Sequence, residues 1–306
     1  MLVSVPNIIM LQMQDLAVII LNYRSKNDVV RQLNTLIGEG IDESVFYILD
    51  NDTDHHKELE NFCKSMGVYF HQMNSNRGYA YANNWAIRKG LLEGKNFFLI
   101  LNPDIHISYD TIQRLYSCLH NRPEVGILGP RIKYRINNQL IFSDGGLLFP
   151  EKGFLGDHVN SHKMSTETTD LTGLNYDIDY VNGSAMMFRR EVLDEIGFMA
   201  EHLFMYYEES EWCYRLKLSK KWKLAIDTSL SVYQTDSSRG EIYEYYMTRN
   251  RVWFCRKWNG NLKMLLKERF KTIKRIFRQK ELTRRQKRQF AVKILSGIAH
   301  GFSMKL

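Results

Sequence analysis

The sequence predicts an α/β fold with a mostly parallel central sheet and a basic helical extension at its C-terminus. Three observations carry that prediction. Short apolar runs alternate with helix-length stretches through the first half, small polar residues follow the carboxyl ends of those runs, and Lys and Arg crowd into residues 251–306. Apolar strands spaced by helices indicate a parallel sheet covered on both faces.

The elements follow in order. LAVIIL (16–21) reads as the first strand and is followed by a helix near 27–38. SVFYILD (44–50) is the second strand, with a helix near 55–66. VYFHQ (68–72), a helix over 79–92, FFLILN (97–102) and a helix over 109–120 continue the alternation. From about 126 to 180 the helical pattern weakens into strands and loops. DYVNGSAMMFRR (179–190) reads as a strand leading into REVLDEIG, WKLAID (222–227) as another strand, and the chain beyond 243 as nearly continuous helix. The expected division is a domain over 1–242, with a first part at about 16–125 and a second at about 126–242, followed by an extension over 243–306.

The 306 residues are 44% hydrophobic and 25% charged, enough for a sizeable core without disulfides. Cys63, Cys118, Cys213 and Cys255 are far apart and form no CxxC pair. They read as buried thiols of a reducing compartment, not as a disulfide frame or zinc site. No apolar run approaches the roughly 18 residues that span a bilayer, and the first 20 residues lack a basic n-region. These features predict a cytoplasmic protein.

The net charge of +8 is uneven. Residues 251–306 hold 17 Lys and Arg against 2 acidic residues, which leaves residues 1–250 at −7. LKMLLKERFKTIKRIFRQK (262–280) places apolar residues in a helical stripe with Lys and Arg on the other face. Such a helix suits an anionic membrane surface, and packing on the acidic body is the plainer alternative. Nucleic acid is not expected, because no stacking platform or recognised motif accompanies the charge.

Ligands of open α/β sheets sit at the carboxyl ends of the strands, where Asn22, Asp50 and Asn102–Asp104 fall. Asp50, in YILDNDTD, can accept hydrogen bonds from a base or ribose, although Asp and Asn also favour plain turns. Asn102 and Asp104, in LILNPDI, can meet a divalent cation and a diphosphate, although Asn-Pro also starts turns. In NSNRGYAYANNWAI (74–87), Gly78 permits a tight turn into a helix and Arg77 can reach a phosphate or base. LFMYYEESEWCYR (203–215) crowds Glu208, Glu209 and Glu211 beside aromatics. On a helix Glu211 pairs with Arg215, whereas Glu209 points toward the side of Trp212 and Cys213, with the raised pKa that suits a general base. The nine histidines show no HxH or HxxxH spacing; His55, His56 and His71 read as surface or core residues.

AVIILNYRSKND, ILDNDTD, NRGYAYANNWAI, LILNPDI, VNGSAMMFRREVLDEIGF, LFMYYEESEWCYR and YYMTRNRVWFCRKW follow one another over about residues 16–258. Together they resemble the family 2 glycosyltransferases of the GT-A (nucleotide-diphospho-sugar transferase) fold, especially the bacterial rhamnosyltransferase-like branch of polysaccharide assembly. FAVKILSGIAHGF looks like the C-terminal helix of that branch.

The resemblance implies inverting transfer from dTDP-rhamnose or a UDP-sugar to a glycan or lipid-linked acceptor, on the inner face of the cytoplasmic membrane. It assigns Asn22, Asp50, Arg77, Gly78, Asn84, Asn102 and Asp104 to the donor, and Glu209 to the base. Gly183, Glu208, Glu211, Trp212 and Arg249 fall on the acceptor side or in support. Asp104 would hold Mg²⁺ or Mn²⁺, with Gln234 a second candidate ligand. Three positions depart from the family pattern. Glu209 replaces the usual Asp, Asn102 replaces an acidic residue, and Gln234 stands where many relatives carry a metal-binding His. An amide oxygen suits Mg²⁺ and serves softer metals poorly. The alternative reading is an impaired module that binds nucleotide sugars without turnover.

Overall fold

The computed structural model describes residues 13–52, 57–135, 139–171, 173–235 and 240–306. Thr53 and Asp54 of the NDTD turn, His55, His56 and the first twelve residues lie outside them.

The first half alternates strand and helix. In order come β1 (Leu16–Asn22), α1 (Lys26–Gly38), β2 (Phe46–Asp50), α2 (Lys57–Ser65), β3 (Tyr69–Gln72), α3 (Tyr79–Leu92) and β4 (Phe97–Leu101). The short β5 (Ile105–His106), α4 (Tyr109–Asn121) and the long β6 (Val125–Tyr134) follow. Helix α4 starts where Ser108 accepts from the Thr111 amide, and it buries Ile112, Leu115 and Leu119 at helical spacing.

The middle is built of short strands: β7 (Ile141–Ser143), β8 (Gly146–Phe149), β9 (Leu155–His158) and β10 (Leu174–Asn175). Then come β11 (Ala185–Arg189), α5 (Glu191–Ile196), α6 (Glu208–Ser219) and β12 (Lys223–Gln234). Strand β11 is shorter than the 179–190 run suggests. Asn182 accepts from the Ser184 amide at 2.9 Å and turns the chain at Gly183, so extended pairing begins only at Ala185. Strand β12 is longer than WKLAID, because it pairs along β6 as far as Gln234.

The sheet order is β10-β12-β6-β11-β4-β1-β2-β3. Pairing is parallel from β3 through β2 and β1 to β4, and again between β6 and β12. Strand β11 enters antiparallel to both β4 and β6. Alternate residues of β1 supply two cores. Ala17 and Ile19 face α3, α5 and α6, while Leu16, Val18 and Ile20 face α1, α2 and α4.

Beyond β12 the chain forms α7 (Glu241–Lys257), α8 (Leu262–Arg278) and α9 (Arg284–Ser303). It breaks twice where continuous helix was expected. Asn259 adopts a left-handed φ of 54° and Asn261 caps α8, while Thr283 and Gln286 form a capping box for α9. Val252, Trp253, Phe254 and Cys255 of α7 are buried in the same core as α3 and α6. All four cysteines are free, and Cys118 is only half-buried.

Candidate active site

The carboxyl ends of β1, β2 and β4 lie side by side, because Asn22 is in register with Asp50 and Ile20 with Leu101. Asn22 Nδ2 donates to Asp50 Oδ1 at 2.8 Å, and the Asp52 amide donates to the same oxygen at 2.8 Å. Asp50 is fully buried. The Asp50 carboxylate thus anchors the 50–52 turn to the end of β1. Asn51 continues the link, with Nδ2 3.3 Å from the Gly78 carbonyl.

Gly78 has φ +95° and N-caps α3. A Cβ there would overlap the carbonyl of Phe204, and the Tyr79 amide donates to that carbonyl at 2.7 Å. Glycine is thus required twice, by conformation and by close approach. It joins the 74–78 loop to the segment before Glu208. Arg77 is exposed and lies 3.8 Å over the Tyr81 ring.

Asn84, which the family resemblance assigns to the donor, is held inside the fold. It is fully buried, with Nδ2 donating to the Met199 carbonyl at 2.9 Å and to Glu201 at 3.0 Å, while Oδ1 accepts from the Met199 amide at 3.2 Å. With both ends of its amide engaged, Asn84 braces the 199–201 loop. His71 lies face to face with Trp85 at 3.8 Å, a packing role.

A cleft of about 1070 Å³ opens beyond β4 and brings together Asn102, Asp104, Gly183, Glu208, Glu209 and Gln234. Asp104 precedes β5, in which Ile105 is in register with Gln234 of β12. Burial raises the Asp104 pKa. Gln234 Oε1 is buried without a hydrogen-bond partner. Among the described residues no group of three or more His, Cys, Asp or Glu is placed to hold an ion. The carboxylate of Asp104 and the unpartnered amide oxygen of Gln234 fit a hard divalent cation whose other ligands come from phosphate and water.

Glu208 and Glu209 begin α6 behind a left-handed Tyr207, φ 71°. Glu208 is 3% exposed and its Oε2 has no partner; burial first, then the neighbouring Glu209, drives its pKa well above 4.5. Glu209 is half-buried at the cleft wall and is also raised by burial. A Cβ on Gly183 would lie 3.4 Å from Glu209 Cγ and 3.2 Å from the Tyr79 hydroxyl. The crowding there falls on the Tyr79 hydroxyl, while the contact with Glu209 would be an ordinary one.

The other acidic-segment residues are supports. Glu211 is fully buried between Arg215 at 2.9 Å and Lys257 at 2.8 Å. Trp212 is fully buried and donates to the Gly197 carbonyl at 2.7 Å. Arg249 Nη2 donates to the Leu203 carbonyl at 2.5 Å, and Asn250 Nδ2 lies 2.7–2.9 Å from the carbonyls of Leu203, Met205 and Tyr206.

Two residues escape the sequence reading. Tyr79 donates its hydroxyl to the Gly183 carbonyl at 2.6 Å, and burial first, then Glu208 and Glu209, raise its pKa. Its only signal is its place after Gly78. Gln32, 5% exposed in mid-helix, donates to the carbonyls of Asn102 at 3.2 Å and Ile105 at 2.8 Å, behind the Asp104 turn. Nothing in the local pattern marks it.

No protein-family model matches the chain. It is 32% identical over 211 residues, 67% of its length, to the low-salt glycan biosynthesis hexosyltransferase Agl10 of Haloferax volcanii. It is 23% identical over 193 residues, 62% of its length, to the dTDP-rhamnosyl transferase RfbF of Shigella flexneri. These alignments span 62% and 60% of the two relatives. Among solved structures, the mannosyltransferase PcManGT of Pyrobaculum calidifontis, in complex with GDP-Man and Mn²⁺, superposes with a TM-score of 0.53 at 12% identity. That match covers 94% of this chain and 73% of the other. The fold is GT-A, with the helices after β12 added to it.

Proposed function

We propose that the chain is an inverting family 2 glycosyltransferase of the rhamnosyltransferase-like branch, moving a sugar from a nucleotide-diphosphate donor to a glycan or lipid-linked acceptor. The observation that carries the reading is the meeting of Glu209 and Asp104 in one cleft of a GT-A fold. The glycosyltransferase names of both curated relatives support it, and that of RfbF points to dTDP-rhamnose, with UDP-sugars the other candidates.

Glu209 is the base. Burial makes its carboxylate more basic than one in water, and its place on the cleft wall lets it meet an acceptor hydroxyl. As Glu209 takes that proton, the acceptor oxygen attacks the anomeric carbon opposite the leaving group. The C–O bond to the nucleoside diphosphate breaks with inversion. Burial and the neighbouring Glu209 raise the Glu208 pKa, which favours placing the negative charge of the pair on Glu209. Asp104 and Gln234 would hold Mg²⁺ or Mn²⁺, whose charge offsets that of the departing diphosphate when bound. Asp50, Asn22 and Gly78 shape the floor on which the nucleotide lies.

No helix among the described residues is long and apolar enough to cross a membrane. Helix α8 supports peripheral attachment at the inner membrane face. It exposes Phe270 and Phe277, each 50% accessible, on a face with Lys263, Lys267, Lys271 and Lys274. Glu268 turns inward to Arg251 and Arg269.

The second reading, a binder of nucleotide sugars without turnover, draws on Gln234 in place of His. Donor hydrolysis and transfer with UDP-, dTDP- and GDP-sugars, with Mg²⁺ or Mn²⁺, separate the two. Glu209→Gln should lower turnover by about 100-fold or more while donor binding persists. Near-normal turnover in that variant removes Glu209 from the role, and binding without any diphosphate release in the wild type favours the binder.

A further inference from the structure

We propose that α9 is a positioning element for the turn that carries Glu208 and Glu209, acting through α7; the catalytic half of this rests on Glu209 being the base.

The turn needs holding. Phe204, Tyr206 and Tyr207 all have left-handed φ, at 67°, 68° and 71°. Side chains rarely adopt this conformation, and it persists only where the surroundings over-determine it. The grip comes from α7, where Arg249 and Asn250 reach the carbonyls of Leu203, Met205 and Tyr206. Arg249 is itself set by its Nε bond to Asn250 Oδ1 at 2.8 Å.

Helix α7 is in turn set by α9. Gly297 and Gly301 lie four residues apart on one buried face of α9. A Cβ at Gly297 would sit 2.7 Å from the Tyr245 carbonyl, and one at Gly301 2.5 Å from the Arg249 carbonyl. The helices therefore meet backbone to backbone at the very turn of α7 that bears Arg249. The seam is pinned on both sides. Tyr245 and His300 lie 2.8 Å apart, Trp253 Nε1 donates to the Lys305 carbonyl at 2.6 Å, and Arg256 donates to Gly301 at 3.0 Å. Displacing α9 must move Arg249 and Asn250, and with them the entry to α6.

Gly301→Ala in the full chain tests this. Alanine favours the helix itself, so the change shifts α9 against α7 without melting it. Hydrogen exchange over residues 201–212 should quicken by about tenfold or more, with residues 97–101 of β4 unchanged. Turnover should fall by up to about 100-fold, the scale of a 1 Å misplacement, while the KM for donor stays within about twofold. Unchanged exchange at 201–212 in the folded variant overturns the proposal, as does exchange that rises equally in β4. Gly297→Ala, read in the same way, decides the matter if the first variant does not fold. A wild type that turns over no donor defeats the glycosyltransferase reading alone, since the exchange result still decides the brace.

Discussion

The Tyr79 hydroxyl donates to the Gly183 carbonyl at 2.6 Å across 104 residues of sequence. This bond joins the first turn of α3, after the 74–78 loop, to the Gly183 turn beside Glu209. Tyr79→Phe leaves the ring in place and the half-buried Gly183 carbonyl without its donor. It should cost about 1 kcal/mol in chemical denaturation and lower turnover more than it changes nucleotide affinity. Turnover and stability equal to wild type would remove the bond from the site.

Glu208 gives a pH signature. Burial raises its folded pKa above the ordinary 4.5, so the folded state holds its proton more tightly than the unfolded chain does. Its contribution to stability is then full below about 4.5 and is lost as pH rises through the raised value. Glu208→Gln is neutral at every pH. Its stability relative to wild type should therefore be greater at pH 8 than at pH 5, by denaturant titration at both. A difference independent of pH contradicts a protonated Glu208.

Gln234, as a proposed cation ligand, predicts a metal preference. Gln234→His exchanges a hard amide oxygen for an imidazole nitrogen, which Mn²⁺ binds better than Mg²⁺ does. With a nucleoside diphosphate present, the variant should need about tenfold less Mn²⁺ for the same thermal shift, with its Mg²⁺ response flat or weaker. An unchanged Mn²⁺ titration places Gln234 outside the cation site.

The exposed face of α8 should bind vesicles that contain anionic lipid and release them as salt rises, with each basic residue near the surface worth about 1 kcal/mol. Lys267→Glu with Lys274→Glu should abolish co-sedimentation, and Phe270→Ser should weaken it at every salt concentration. Equal sedimentation with neutral vesicles would rule out the electrostatic part.

The sequence by itself determined the strand and helix order as far as α4, the two-residue β5 excepted, because each longer element carries its own apolar period. It also determined that small polar residues stand at the strand ends, that basic charge concentrates after residue 250, and that Glu211 pairs with Arg215 one helical turn away. What it left to the tertiary structure is which of those polar residues face the cleft. Asp50 and Asn84 read as donor contacts; the fold buries both, and ties the latter to Met199 across 115 residues. Gln32 behind the Asp104 turn leaves no local pattern at all, and no local pattern names the partners of Tyr79 on Gly183 or of Arg249 and Asn250 on residues 203–206. Their partners are backbone carbonyls, and every residue except the last of a chain has one like any other. Only the folding of distant segments decides which carbonyl is buried beside which donor.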